Sequence, residues 1–586
     1  MNLDIQQQTA VVTDSTKALV LAGAGSGKTR VLTERIAYLI EQQKVSPYEI
    51  IAMTFTRKAS QEMRKRLIER LGSKAYHIEI GTMHSIALRM IHRFGELIKL
   101  KPEQVTVYNE FEESELLKDT AIDLAMYKGR AWAMPKKDID AVFNKFYQSG
   151  EPPQEDHPAK DLFDSFFARC RENNSCTYGT LLSEFWRLIP ELVKYLNWKH
   201  ILVDEVQDID EFQWAIINDL QTYFKASLFV VGDISQSIFE FRGAVPKYLY
   251  DHETEFDVYR LEYNYRSCKG IVDAANNVIR NNEMRLPLEM EATRPEHDGP
   301  SVRLIPDCNS EKLAEDAKVT AEAYDMEIDM RLNLTILARN HALLVKLSQL
   351  LTEKGVEHTY IGNKTKLVHS EAFVRFHAFL KLCVNPYDNF SFMMIQPVIG
   401  LSRAEYLDIR VKASQEGKSH FQVWLTTNLP FAQDFGNDIA NFDKLASAMN
   451  VLDVTFGGGN ETSAFVWNWI LDRPDPTIQE YLDWLALYDI QDELAEVEEE
   501  APAITLATIH AVKGLEWDTV VVAGLNEGIL PSKQSINSGE IESERRLVYV
   551  AMTRAKNNLI LTSRPVETES NGKVYSNPVS RFLEEI

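Results

Sequence analysis

Residues 22–29 read A-G-A-G-S-G-K-T, and no other stretch narrows the possible folds of this chain so far. The apolar run Ala18-Leu19-Val20-Leu21 leads into it, and Arg30-Val31-Leu32 opens a helical pattern after it. Strand, glycine-rich loop and helix are the setting of a phosphate-binding loop. Gly23, Gly25 and Gly27 let backbone N–H groups turn inward, with Ala22 before them and Ala24 and Ser26 between them. The helix start places a positive dipole end under the phosphates. Lys28 is placed to reach the β- and γ-phosphates, and the Thr29 hydroxyl to hold Mg²⁺. Ala22 stands where the general pattern has glycine. The bland alternative is a glycine-rich turn ahead of Lys-Thr, and the strand and helix on its flanks argue against it. A nucleoside-triphosphate site is expected.

Length and composition bound what surrounds that site. A chain of 586 residues is too long for one domain and predicts three or four. Lys+Arg 63 against Asp+Glu 86 gives a net charge of −23, which lowers the prior for nucleic acid without describing any one groove. The cysteines Cys170, Cys176, Cys268, Cys308 and Cys383 form no C-x-x-C pair, so no zinc or iron–sulfur site is expected. Free thiols, no basic-then-apolar leader and no apolar run of membrane length predict a cytoplasmic protein.

Further stretches carry polar residues at strand ends. Gln7 precedes the loop strand and can read an adenine edge, or be a solvated residue of a helix start. Ile50–Thr56 reads as a buried strand running into the basic segment Arg57–Arg66. There Phe55 can stack on a base while Thr56 and Arg57 touch phosphates; the basic residues read equally well as a solvated helix face. Ile78–Ser85 is another strand end, with His84 at its tip. Residues 86–196 are helical in pattern. His200–Asp208 places Asp204 and Glu205 behind an apolar strand. Asp204 fits a Mg²⁺ shell and Glu205 a base for attacking water. Leu228–Asp233 repeats the strand-then-acid design, followed by Gln236, which can touch γ-phosphate and water. Phe239, Phe241 and Arg242 come next. The two phenylalanines can be a stacking platform or core, and core is the better reading of Phe239.

Leu261–Ser267 reads as the opening of a helix. The loop at 22–29, T-F-T at 54–56, G-T-M-H at 81–84, V-D-E-V-Q-D at 203–208, G-D-I-S-Q-S-I at 232–238 and N-Y-R-S at 264–267 are followed by I-T-L-A-T-I-H-A-V-K-G-L-E-W-D at 504–518 and E-R-R-L-V-Y-V-A-M-T-R-A at 544–555. In this order, nearly end to end, they resemble the UvrD/Rep/PcrA-like superfamily 1 DNA helicases. That resemblance implies an α/β chain of two RecA-like parallel-sheet P-loop lobes with two mainly helical inserted subdomains. The expected boundaries are 1–85 and 197–270 for the first lobe, with 86–196 inserted. The second lobe takes 271–370 and 502–586, with a reduced insertion at 371–501. It implies that Gln7, Tyr265 and Arg30 contact adenine and that Glu516 lies near the ribose. Gln236, Arg266 and Arg554 approach the γ-phosphate, and Phe55, Thr56, His84, Phe241, Arg242, Thr508 and His510 contact DNA.

The activity so implied is ATP- and Mg²⁺-dependent movement 3′→5′ on single-stranded DNA and at DNA junctions, with unwinding. Three departures from the family pattern qualify it. Thr365–Glu371 replaces a phenylalanine-rich stretch, Val398-Ile399-Gly400-Leu401 is a reduced duplex-contact element, and the hairpin tip Ser570-Asn571-Gly572 lacks an aromatic. The last two predict weak unwinding by the chain alone. They also keep open an ATPase or translocase that serves a nuclease partner, as in antiphage systems of the Gabija kind. With the chain ending at Ile586, no fused nuclease of the RecB or AddA type is expected. A non-hydrolysing nucleic-acid-binding module is disfavoured by Lys28, Glu205, Arg266 and Arg554.

Overall fold

The computed structural model of the chain describes residues 3–586 except 129–130, 241–242, 286, 297–299, 307, 309, 316, 318–333, 362–366, 368–369, 428, 430–431, 433–441, 443, 457–459, 472, 489–503, 564–566, 569–573 and 576. The fold divides into two compact units. One gathers 1–82, 196–363 and 490–586, and the other 83–195 and 364–489.

The first unit holds two parallel sheets. Lys17–Ala22 (β1), Ile50–Thr54 (β2), Glu79–Thr82 (β3), His200–Val203 (β4), Ser227–Gly232 (β5) and Asp257–Leu261 (β6) pair in the order β6-β1-β5-β4-β2-β3. Val302–Ile305 (β7), Leu334–Ala338 (β8), His358–Tyr360 (β9), Ile504–Thr508 (β10), Trp517–Ala523 (β11) and Ala555–Thr562 (β12) pair in the order β7-β12-β11-β8-β10-β9. The expected α/β class with two parallel-sheet lobes is what the chain adopts. Strands β1, β2, β4 and β5 are near-continuous apolar runs because both faces are covered, as parallel sheets require. The first sheet's order makes β1, β5 and β4 neighbours. Their carboxyl ends deliver the 22–29 loop, Asp233 and Asp204-Glu205 to one edge, where open α/β sheets bind ligands.

Two local readings change. Tyr263–Cys268 is a strand paired with Glu291–Arg294, and the helix begins only at Lys269. The Asn264 carboxamide explains the delay: it accepts from the backbone N–H of Arg266 and of Ser267 and so competes with helical bonding. The strand before His84 ends at Thr82, so His84 lies in the first turn of the helix Met83–Phe94. Among the described residues no helix is long and apolar enough to cross a membrane.

The second unit is mainly helical, and its two chain segments share a buried polar network. The Lys381 ammonium lies 2.5 Å from both carboxylate oxygens of Glu112 and donates to the Val107 carbonyl at 2.9 Å. Asn385 donates to the Thr106 hydroxyl at 3.0 Å and to the Asn173 carbonyl at 2.8 Å, while Tyr108 donates to Asp388. Burial pushes the Glu112 carboxyl up against the pull of Lys381. Removing one partner of a buried pair strands the other charge. Lys381→Ala is therefore expected to lower the protection of the helix Glu371–Val384 against hydrogen exchange by about 3–5 kcal/mol, and Lys381→Met with Glu112→Leu to recover most of it. Unchanged protection in Lys381→Ala would show that the pair holds nothing together.

Candidate functional site

The phosphate loop is set by β1 behind it and braced from three sides. Gly25 and Gly27 have φ of 69° and 87°, a region closed to most side chains. A Cβ on Gly25 would also lie 2.7 Å from the Arg266 Cβ. The helix Lys28–Glu41 starts from Gly27, so its free N–H groups open onto the loop. Asn264 donates to the Ala24 carbonyl at 2.7 Å, and the Tyr265 N–H to the Gly25 carbonyl at 3.0 Å. Gln7, the third residue of the helix Ile5–Val11, donates to the Ser26 carbonyl at 2.9 Å. It is 2% exposed, which excludes the solvated reading. Its neighbour Asp4 caps that helix and accepts from the Tyr265 hydroxyl at 2.6 Å. Gln7 and Tyr265 therefore frame the same edge of the loop.

Behind β4 and β5 the acidic residues and Gln236 converge on Lys28. The Lys28 ammonium lies 3.2 Å from Glu205 Oε1 and 3.1 Å from Gln236 Oε1. Gln236 Nε2 donates to Asp233 at 2.8 Å. Glu205 has φ of 50°, a left-handed conformation that costs a non-glycine residue about 1–3 kcal/mol and persists where the surroundings enforce it. Burial and the charge of Glu205 push the Asp204 carboxyl up to about 7. Burial presses Glu205 the same way, but Lys28 and Lys513 outweigh it and hold Glu205 down at about 2. The Thr29 hydroxyl donates to Asp204. A hydroxyl beside a buried carboxylate is a donor set that fits a small hard divalent cation, whose remaining ligands are phosphate and water.

Arg266, on the strand Tyr263–Cys268, and Arg554, just before β12 of the second sheet, contribute the cations. Arg266 donates to Glu516 at 2.5 Å and to the Thr553 carbonyl at 3.1 Å. Arg554, 2% exposed, donates to the Val550 and Leu515 carbonyls at 3.0 and 3.2 Å. Burial, and then the charge of Arg266, lower Arg554 to about 9. Two guanidinium groups held together at low accessibility form a site that gains from an anion. Lys513, which follows β10, was not singled out in the sequence. It is buried, pairs with Asp208 and lies 3.8 Å from Glu205. Its one signal was its place between the apolar residues Val512 and Leu515 in the 504–518 block.

The proposed DNA-contacting residues fall in separate places. In the first unit Phe55 stacks on Phe239 with ring centroids 5.1 Å apart. Phe239 is 4% exposed and core, and His510 lies 6.4 Å from it, ring to ring. The Thr56 hydroxyl caps the helix Arg57–Leu71, and Thr508 closes β10. In the second unit the His84 ring stacks on Tyr178 at 3.9 Å, and burial holds its imidazole down at about 3, in the neutral form. Tyr178, 47% exposed, is an aromatic face that sequence reading missed, since nothing in its local pattern separates it from core. Phe241 and Arg242 lie outside the described residues.

Comparison with known proteins agrees with this geometry. Residues 3–257 match the UvrD/REP helicase N-terminal domain, and residues 259–416 and 402–564 the UvrD-like helicase C-terminal domain. The chain is 30% identical to ATP-dependent DNA helicase PcrA of Bacillus subtilis (strain 168), across 99% of this chain and 85% of that protein. It is 28% identical to ATP-dependent DNA helicase UvrD1 of Mycobacterium bovis, across 100% and 85%. The PcrA of Leuconostoc citreum is also 28% identical, across 99% and 84%. A phosphate loop, a strand-end carboxylate pair and two facing arginines, in a chain matched along almost its whole length, place this protein in the UvrD-like helicase family.

Proposed function

We propose that the chain is an ATP-dependent DNA helicase that hydrolyses ATP to move 3′→5′ along single-stranded DNA. One observation carries the reading: Lys28, Glu205 and Gln236 converge behind the first sheet, in one unit with Arg266 on the strand Tyr263–Cys268 and with Arg554 beside β12, on which the charges of Arg266 and Glu205 both act. The adenine lies against Gln7, Tyr265 and Arg30, and the ribose near Glu516. The phosphates take the loop N–H groups and draw Lys28 away from Glu205. Glu205 accepts the proton of a water whose oxygen attacks the γ-phosphorus, while the bond to the ADP oxygen breaks. Gln236 orients that water. Arg266 and Arg554 meet the charge that develops on the γ-phosphoryl oxygens. Asp204 and Thr29 would hold a Mg²⁺ ion, which would supply charge neutralisation at the phosphates.

For DNA, Phe55 in the first unit and Tyr178 over His84 in the second each offer a stacking face, and base–aromatic stacking is worth about 1–3 kcal/mol per base. Thr56, Thr508, His510, Phe241 and Arg242 complete the proposed contacts. ATP turnover is expected to rise strongly with single-stranded DNA, and binding to weaken with salt as phosphate contacts release counterions. Tyr178→Ala is expected to weaken single-strand binding by about 1–3 kcal/mol in a fluorescence titration. Equal stimulation by blunt duplex, or unwinding from 5′ tails alone, would count against the reading. The alternative of a translocase feeding a nuclease partner drew on the reduced insertion at 371–501 and on the tip at 570–572. The tip lies outside the described residues, and nothing among the described residues of the insertion favours that alternative.

A further inference from the structure

A contact between the two sheets of the first unit is not used by the reaction above. Ile238, Phe239 and Ala244 follow Gln236 in the chain of the first lobe, yet they pack in the apolar cluster built around Val548 and Val550 of the helix Ile541–Met552. Two buried cations from the second lobe also hold the turn itself. Arg546, 2% exposed, donates from Nε to the Ser237 carbonyl at 3.0 Å and pairs with Glu240. Lys513 donates to the Gln236 carbonyl at 2.7 Å. Consecutive carbonyls are thus gripped from the opposite sheet. The residue they fix is Gln236, whose side chain already lies between Lys28 and Asp233. Arg546 Nη1 makes no hydrogen bond among the described residues and lies 3.9 Å from Glu542 Oε2 of its own helix.

We propose that Arg546 is a positioning residue for ATP hydrolysis, which transmits the position of the second lobe to Gln236 through the Ser237 carbonyl. A shift of the helix Ile541–Met552 moves the guanidinium, the guanidinium moves the carbonyl, and the turn carries Gln236 toward or away from the γ-phosphate. The apolar packing of Phe239 keeps the segment attached to the second lobe but has no direction; the Arg546 hydrogen bond supplies one. The proposal rests on the reading of Gln236 as the γ-phosphate contact.

The test uses the full chain with saturating single-stranded DNA. Arg546→Met keeps much of the side-chain volume and removes the donors; Arg546→Lys keeps the charge and loses the fork. Both are expected to lower kcat, the methionine variant by ~30- to 100-fold, because misplacement by about an ångström at a reacting group has that effect. The KM for ATP and the affinity for a fluorescent ATP analogue should stay within about threefold, the signature of a group that acts only in the transition state. If the methionine variant does not fold, the lysine variant decides by the same split. Wild-type kcat in either folded variant overturns the proposal, as does a parallel loss of kcat and nucleotide affinity. Gln236→Ala separates the two readings. If it turns over ATP normally, the site reading fails; if it is slow while the Arg546 variants are normal, only the role of Arg546 fails.

Discussion

Glu205→Gln is expected to leave ATP bound and uncleaved, with turnover lowered by ~10²–10⁴, the worth of a general base. The amide keeps the shape of the carboxylate and its place after β4, so only proton acceptance is lost. Lys28 stands 3.2 Å from Glu205 and, with Lys513, holds its carboxyl down at about 2. Phosphates that draw Lys28 away would relax part of that restraint, leaving burial opposed by Lys513 and Gln207. Lys28→Ala should fail differently, by weakened binding of the triphosphate. Single-turnover quench with labelled ATP distinguishes the two, and normal turnover by Glu205→Gln would refute water activation by this residue.

Arg554→Ala should have an effect as large or larger. An arginine that meets the transferring phosphoryl group is worth ~10³–10⁵ in kcat. Arg554 is buried, and burial and Arg266 together lower it to about 9, so its charge is poorly accommodated until an anion arrives. The γ-phosphoryl oxygens are that anion, and their charge is most exposed in the transition state. Arg554→Lys should rescue little, because an ammonium lacks the planar fork that lets one side chain bond the Val550 and Leu515 carbonyls and still face the phosphate. The check is single-turnover hydrolysis by variants whose melting is unchanged, with ATP affinity measured separately. A loss of less than about tenfold would remove Arg554 from the reaction.

Where the sequence was legible, the reason was local chemistry. The 22–29 loop, Asp204-Glu205 and Gln236 each follow an apolar strand, and parallel topology then brings strand ends together. Arg266 and Arg554 were legible only through the order of the motifs, since a single arginine in a chain says nothing of what it will face. Lys513 and Arg546 escaped notice because their roles lie in tertiary pairing with Asp208 and with the Ser237 carbonyl. Tyr178 escaped because exposure of an aromatic at a helix start is decided by what packs beside it. The strand at Tyr263–Cys268 was misread as a helix opening because Asn264 spends its carboxamide on its own backbone.

The strand order of the second sheet also bears on synthesis. β7, β8 and β9 leave the ribosome well before β10, β11 and β12, and no two of the first three are neighbours in the sheet. β7 waits for β12, β9 waits for β10, and β8 waits for both of its partners, β10 and β11. Sheet formation in this lobe therefore waits for its second half, however early its first half is made. The mainly apolar strand Leu334–Ala338 passes through a nascent interval with unpaired edges, where aggregation and chaperone capture compete with folding. Arg554 comes only with β12, so a stalled nascent chain can carry the phosphate loop and Arg266 without it.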